Sequence, residues 1–343
     1  MITALIEDLL MGESVEPSRF EDAIHSIMLG EVAEAQTAGL LVALRTHRPD
    51  AAVLAACARA MRVHRLAVHA EVRPLIDTCG TGGDRSGTFN ISTAAALVVA
   101  AAGGAVAKHG NRSVSSKTGS ADVVEATGCS LDVTPEGART LLDATGFAFL
   151  FAPVFHPAMA YVAPVRRSLG IRTLFNLLGP LTNPALAQCQ LLGVYDASLT
   201  EVMAEALREL GTEGALVVHC DGLDEIGLHG VTRGHLVKNG SVGPFSLRPE
   251  DLGLKRAPVD ALCGGEPQEN ASILRSVLEG ETGPRSEVVA VNAAAALFVS
   301  GLARDLREAL NAAREVLRSG RALRVLERYV ESSQRLVAEE VTS

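Results

Sequence analysis

Up to about Leu66, apolar and polar positions alternate with a helical period and no strand pattern interrupts them. SRFEDAIHSIMLG sets Phe20, Ala23, Ile24, Ile27 and Met28 on one face, and Gly30 is placed to end that helix. EVAEAQTAGLLVALRTH and PDAAVLAACARAMRVH repeat the period, divided by Pro49 at a helix start. The pattern changes at Pro74. PLIDTCG is a short apolar run that suits a buried strand, and a glycine-rich loop follows to about Asn90. ISTAAALVVAAAGG reads as a helix stopped by Gly103 and Gly104, and AVAKHG as the next strand. Strand, glycine-rich loop, helix, strand is one unit of a mainly parallel α/β sheet.

FAFLFAP and GALVVHC are further strand candidates separated by helical segments, and SEVVAVNAAAALFVSG and RDLREALNAAREVLRSG close the chain with helices. The stretch from Tyr161 to Asn183 mixes helical spacing with Gly-Pro and Asn-Pro breaks, and is expected to rejoin the helical unit. The predicted architecture is a small all-α domain plus a larger α/β domain with a central mainly parallel sheet flanked by helices. The small domain takes residues 1–70, joined by about 165–190, and the large one takes 71–164 and 191–343.

Composition narrows the function classes. Net charge is −9, from 31 basic and 40 acidic residues, which disfavours binding nucleic acid through phosphate neutralisation. Aromatics are 3% and Trp is absent, so base-stacking platforms are scarce. The six cysteines form no C-x-x-C pair, which argues against zinc knuckles and for reduced thiols in the cytoplasm. MITALIEDLL has no basic n-region, and the apolar run Ala94 to Ala107 is too short for a membrane span of ~20 residues. A cytoplasmic protein with no membrane partner is expected.

Four stretches carry candidate chemistry. CGTGGD resembles neither a Rossmann fingerprint, since Arg85 holds the third glycine position, nor a P-loop, since Thr88 stands where Lys belongs. It remains a glycine turn between strand and helix, a place where backbone N–H groups attract phosphates or simply cap a helix. KHGNRSVSSKTGSAD is dense in donors, and follows the strand next to that loop, so both open at one sheet edge. In DGLDE, Asp221, Asp224 and Glu225 crowd a turn around Gly222; they are solvated turn residues or hard oxygen ligands for Mg²⁺ beside phosphate. Arg166, Arg167 and Arg172 lie on one predicted helix, where an Arg among Leu and Ile can fork onto a carboxylate. His156, before a proline, is more often a packed residue than a general base, and Cys79 has no implied partner for nucleophilic work.

Taken together these stretches resemble the anthranilate phosphoribosyltransferase family of tryptophan biosynthesis, over nearly the whole chain. The resemblance rests on IMLGEVAEAQTAGLLVALR, DTCGTGGD, FNIST, KHGNRSVSSKTGSADVVEATG, FLFAPVFHPAM, VRRSLGIRTLFNLLGPLTNPA, DGLDE and VNAAAALFVSG. Departures are small: Ala160 stands where the family often has Lys, and Val154-Phe155 where Leu-Tyr is common. The resemblance implies transfer of the phosphoribosyl group of phosphoribosyl pyrophosphate to the amine of anthranilate, in a cleft between two domains of a homodimer. It implies that Gly80, Gly83 and Asp84 hold the pyrophosphate loop with Thr88 nearby. Asn90, Ile91, Ser92 and Thr93 would grip the donor, with Lys108, His109, Gly110, Asn111, Arg112, Ser113, Val114, Ser115, Ser116 and Ser120. Ser92, Asp224 and Glu225 would order two Mg²⁺ ions. Asn111 and Arg166, with Gly80, would contact anthranilate, and His109, His156 and Gly179 would line its approach channel.

Two rivals follow from the same residues. Pyrimidine nucleoside phosphorylases share the fold, but their Ser-x-Arg-Gly signature is absent. A catalytically silent relative that binds nucleic acid is disfavoured by the intact DGLDE and the acidic chain.

Overall fold

The computed structural model describes residues 1–48, 50–113 and 117–342; Pro49, Val114, Ser115, Ser116 and Ser343 lie outside the described residues. Four helices open the chain: α1 (Ile2–Leu10), α2 (Pro17–Met28), α3 (Glu34–Thr46) and α4 (Ala51–Val63). The α2 stripe Phe20, Ala23, Ile24, Ile27 and Met28 is buried, as its spacing predicts. Gly30 follows with φ +74°, a left-handed turn that a side chain resists. The start of α4 is capped by Asp50, whose carboxylate accepts from Val53 N at 2.9 Å.

The α/β part then runs β1 (Leu75–Gly80), α5 (Ile91–Ala101), β2 (Ala105–Gly110), α6 (Ser120–Ala126), α7 (Pro135–Thr145), β3 (Phe147–Phe151) and the four-residue α8 (Ala152–Phe155). After α9 (Ala163–Leu169) and α10 (Phe175–Leu178) come β4 (Cys189–Gly193), α11 (Thr200–Glu209), β5 (Gly214–His219), β6 (Thr232–Lys238) and β7 (Ser241–Leu247). Helices α12 (Pro267–Leu278), α13 (Pro284–Val299), α14 (Leu306–Arg318) and α15 (Arg321–Thr342) complete it. The described residues form one seven-stranded sheet in the order β3-β2-β1-β4-β5-β6-β7. The first five strands are parallel, and β6 and β7 continue the sheet antiparallel.

Three strands were not expected from the sequence. CQLLG of β4 is five residues buried on both faces, a run too short to distinguish from a helix by period. The β6–β7 hairpin turns at Asn239-Gly240, both with positive φ, a two-residue signal that hydrophobic periodicity does not register.

Strand alternation divides the sheet between two cores. Leu216 and Val218 pack with α5 and the C-terminal helices, whereas Ala215 and Val217 pack on the opposite face with Met203, Ala204 and Leu207 of α11. That second core continues without a break into Leu54, Cys57 and Met61 of α4 and into Val165, Phe175 and Leu178 of α9 and α10. The helical unit is therefore clamped to one sheet face, and α9 and α10 bring their linker towards the strand ends.

Candidate active site

Gly80 ends β1, and the chain turns at once into a loop that only glycine-rich sequence accepts. Gly82, Gly83 and Gly87 have φ of +66°, +77° and +68°, and Arg85 takes +64°. A Cβ at Gly80 would stand 2.6 Å from Asp224 Oδ2, so the bare backbone there admits a carboxylate. Gly82 N donates to that same oxygen at 2.9 Å, and Asp224 N donates to Asp84 Oδ2 at 3.3 Å. The turn after β5 is thus stitched to the glycine loop across 142 residues.

Next to it, Ser92 at the start of α5 donates its N–H to Glu225 Oε1 at 3.1 Å. Its hydroxyl receives Lys108 Nζ at 3.3 Å, and Lys108 also donates to Thr78 O. Lys108, on β2, is 1% exposed. The structure therefore brings Gly80, Asp84, Ser92, Lys108, Asp224 and Glu225 together at the carboxyl edge of the parallel strands, where open α/β sheets bind ligands.

The electrostatics of the cluster are costly. Burial, then the charge of Asp84, pushes Asp224 up to about 7; burial, then Asp224, raises Glu225 well above the carboxylate range. Burial lowers Lys108, and Asp77 opposes that shift. Asp77, fully buried, is itself raised to about 6 by burial. One lysine among these acids leaves negative charge in excess, the setting that a hard cation relieves. No cluster of three or more His, Cys, Asp or Glu takes metal-cage spacing among the described residues. Mg²⁺ does not require one: it keeps waters and takes one or two carboxylates plus phosphate oxygens, so Asp224, Glu225 and the Ser92 hydroxyl fit it.

The remaining candidates are placed as follows. Asn90 accepts from Asn270 Nδ2 at 3.0 Å, and Thr88 hydroxyl lies 3.2 Å from Ser86 Oγ. Ile91 turns its side chain into the core and its N–H donates to Phe89 O at 2.8 Å. Thr93 Oγ1 is buried without a hydrogen-bond partner among the described residues. Gly110 ends β2, and a side chain there would collide with Ser120 and Phe149. Asn111 N and Ser120 Oγ are 3.3 Å apart, and Ser113 N donates to Asp122 at 3.1 Å. Arg112 forks onto Glu125, at 2.7 and 2.9 Å, and reaches Asp122 at 3.0 Å. The assignments to Val114, Ser115 and Ser116 fall outside the described residues.

On the helical side, Arg166 stands on α9 with its guanidinium 5.7 Å from the centre of the Phe175 ring and 3.5 Å from Asn176 Oδ1. Arg167 shares that helix, but Arg172 does not: it lies in the α9–α10 linker and donates to Gly83 O. His109 Nδ1–H donates to Gly179 O at 3.2 Å, and its Nε2 is buried without a partner among the described residues. His156 Nε2 donates to Thr182 O at 2.9 Å, and the two imidazole rings are 5.0 Å apart. Burial brings His109 down to about 3 and His156 to about 4, so both are neutral at pH 7. Cys79 is buried, receives Gln190 Nε2 at 3.0 Å, and burial raises its thiol well above the usual value; it is no nucleophile.

These neutral histidines make a stability prediction. Their folded pKa values lie below the unfolded value near 6.5, so their contribution is present above pH 6.5 and is lost as pH falls towards 4. Urea unfolding at pH 7 and pH 5 is expected to show a smaller loss in His109→Gln/His156→Gln than in wild type, by up to ~2 kcal/mol per histidine. Equal losses in both proteins would contradict it.

Several site-shaping residues were not singled out from sequence. Asp77 accepts from His109 N at 3.3 Å and from Asn183 Nδ2 at 2.8 Å. Asn292, fully buried on α13, accepts from Ile226 N at 3.0 Å and donates to Ile226 O at 2.9 Å, fixing the chain just after Asp224 and Glu225. An acid inside an apolar strand and an Asn inside VNAAAAL were the available signals.

The helical-bundle domain of the glycosyl transferase family matches residues 3–64, and its a/b domain matches residues 72–323. The anthranilate phosphoribosyltransferase of Symbiobacterium thermophilum is 51% identical over 98% of this chain and 99% of its own. The chain belongs to the anthranilate phosphoribosyltransferase family. A crystal structure of the family's enzyme from Thermus thermophilus superposes with a TM-score of 0.91, at 48% identity, covering 96% of this chain and 99% of that one. The Saccharomyces cerevisiae anthranilate phosphoribosyltransferase in complex with phosphoribosyl pyrophosphate (PRPP) and Mg superposes with a TM-score of 0.89, at 30% identity over 98% of both chains. The N-terminal helical domain and the larger α/β domain with its mostly parallel sheet are thus those of this transferase family.

Proposed function

We propose that this chain transfers the phosphoribosyl group of phosphoribosyl pyrophosphate to the amine of anthranilate, giving N-(5-phosphoribosyl)anthranilate and pyrophosphate in tryptophan biosynthesis. The observation that carries the reading is the meeting of a bare glycine loop, one buried lysine and the Asp84, Asp224 and Glu225 carboxylates at one sheet edge. Anthranilate's amine is already nucleophilic, so the barrier lies in parting the sugar C1 from pyrophosphate. Charge on the leaving group is what this site is built to accept.

Mg²⁺, two ions per subunit held by Ser92, Asp224 and Glu225, would supply Lewis-acid neutralisation of the pyrophosphate. The protein's own groups bind and align. The glycines let backbone approach the pyrophosphate closely, and Lys108 places a positive charge beneath it. Asn90, Ser92, Thr93 and Ser120 supply hydrogen bonds to the phosphoribosyl donor. Arg166 with Asn111 holds the anthranilate carboxylate, so that the amine faces C1 at high effective concentration. His109, His156 and Gly179 form the walls of its approach. The functional unit is a cytoplasmic homodimer through the helical domain, a reading supported by the exposed apolar side chains of Leu10 and Met11 at the end of α1 and Val42 on α3.

The test is loss of anthranilate fluorescence on adding phosphoribosyl pyrophosphate, with and without Mg²⁺. The expected result is a Mg²⁺-dependent decay. A folded protein that shows none, but cleaves pyrimidine nucleosides with inorganic phosphate, would move the reading to the phosphorylases.

A further inference from the structure

The outer side of the glycine loop is braced by residues that the proposed mechanism does not use. Thr81 N donates to Gly193 O at 2.9 Å, and Tyr195 N donates to Thr81 Oγ1 at 3.0 Å. Arg172 donates to Gly83 O, and its guanidinium lies over the Tyr195 ring, 4.0 Å from the centroid. Among the described residues Arg172 makes no ion pair, so its charge is held by a carbonyl and a π-face alone. Gly83 admits this contact because it has no side chain: a Cβ there would be 2.8 Å from Arg172 Nη2, and φ is +77°.

The consequence follows from peptide geometry. In a trans peptide the C=O and the next N–H point in opposite directions. Pinning Gly83 O towards Arg172 therefore turns the Asp84 N–H to the other side of the loop. Gly82 N is already taken by Asp224, which makes the Asp84 N–H the more valuable donor for an anion. Arg172 also comes from the α9–α10 linker, six residues after Arg166. One short segment of the helical side thus reaches both the proposed acceptor residue and the donor loop.

We infer that Arg172 is a positioning residue of the donor site, which orients the Gly83–Asp84 peptide towards the pyrophosphate and ties the donor loop to the acceptor helix. The inference rests on the donor-site reading above. It is tested with Arg172→Met and Arg172→Lys, by calorimetric binding of inorganic pyrophosphate with Mg²⁺ and by the Michaelis constants of both substrates. Arg172→Met is expected to weaken pyrophosphate binding and raise the KM for the phosphoribosyl donor roughly tenfold, the scale of one charge-assisted hydrogen bond. The KM for anthranilate should change far less, and Arg172→Lys should recover part of the loss. Unchanged pyrophosphate affinity in a folded Arg172→Met, or an equal rise in both KM values, would overturn the role. Wild-type protein that binds no pyrophosphate would instead overturn the donor-site reading beneath it.

Discussion

Replacing Asp224 with Asn and Glu225 with Gln together is expected to cut kcat/KM by at least about a thousandfold, the ~4 kcal/mol of leaving-group stabilisation that a metal supplies. The amides are close to isosteric, and the local hydrogen bonds survive. Asn retains an oxygen for Gly82 N, and Gln retains one for Ser92 N, the contacts that stitch this turn to the glycine loop and to α5. What disappears is the charge. Asp84, Asp224 and Glu225 repel one another in a partly buried setting, so the double variant should melt no lower than wild type without Mg²⁺. Turnover and metal-free melting temperature must be measured on the same preparation. Near-wild-type turnover at saturating Mg²⁺ would remove the acids from the mechanism. A collapse in melting temperature would make them structural.

Arg166→Ala should separate the two substrates. Arg166 is half-buried on α9, and burial lowers its pKa from the usual value. Its contacts are weak ones, the face of Phe175 and Asn176 Oδ1 at 3.5 Å, so it is held without a carboxylate partner among the described residues. A planar fork in that state suits a benzoate-type ligand. Losing it is expected to raise the KM for anthranilate roughly ten- to a hundredfold, as removal of a charge-assisted contact does. The KM for the phosphoribosyl donor should move only a few-fold, because the residues proposed to hold that donor stand on the glycine loop, α5, β2 and α6 rather than on α9. Steady-state kinetics with each substrate varied in turn distinguishes the cases, and equal effects would point to a scaffold role for α9.

The elements legible in the sequence were those written in local chemistry. Helical spacing located α2, α3 and α4 and named the buried stripe of α2. Apolar runs bounded by glycine located β1, β2, β3 and β5, and with them the two polar loops at the sheet edge. The illegible ones fail for identifiable reasons. In β4 every residue is buried, so it carries no alternation, and the hairpin β6–β7 is exposed enough to blur its own. Arg172 shared a helical spacing with Arg166 and Arg167, but Gly170 takes φ +62° and ends α9 before it. The chain therefore turns that arginine out of the helix and onto the glycine loop.

By itself the sequence determined the helical unit, the parallel α/β unit, and which short stretches carry glycine, donors and acids, because periodicity and turn chemistry act between near neighbours. Tertiary structure decided the partners. Asp77 meets Asn183 across 106 residues, Ile226 meets Asn292 across 66, and Gly82 meets Asp224 across 142. Such pairings depend on strand order and on how helices seat against the two sheet faces, and no local pattern in one chain encodes a distance of that kind. Burial, which turns two ordinary acids and one lysine into a charge-starved site, is likewise a property of the assembled fold.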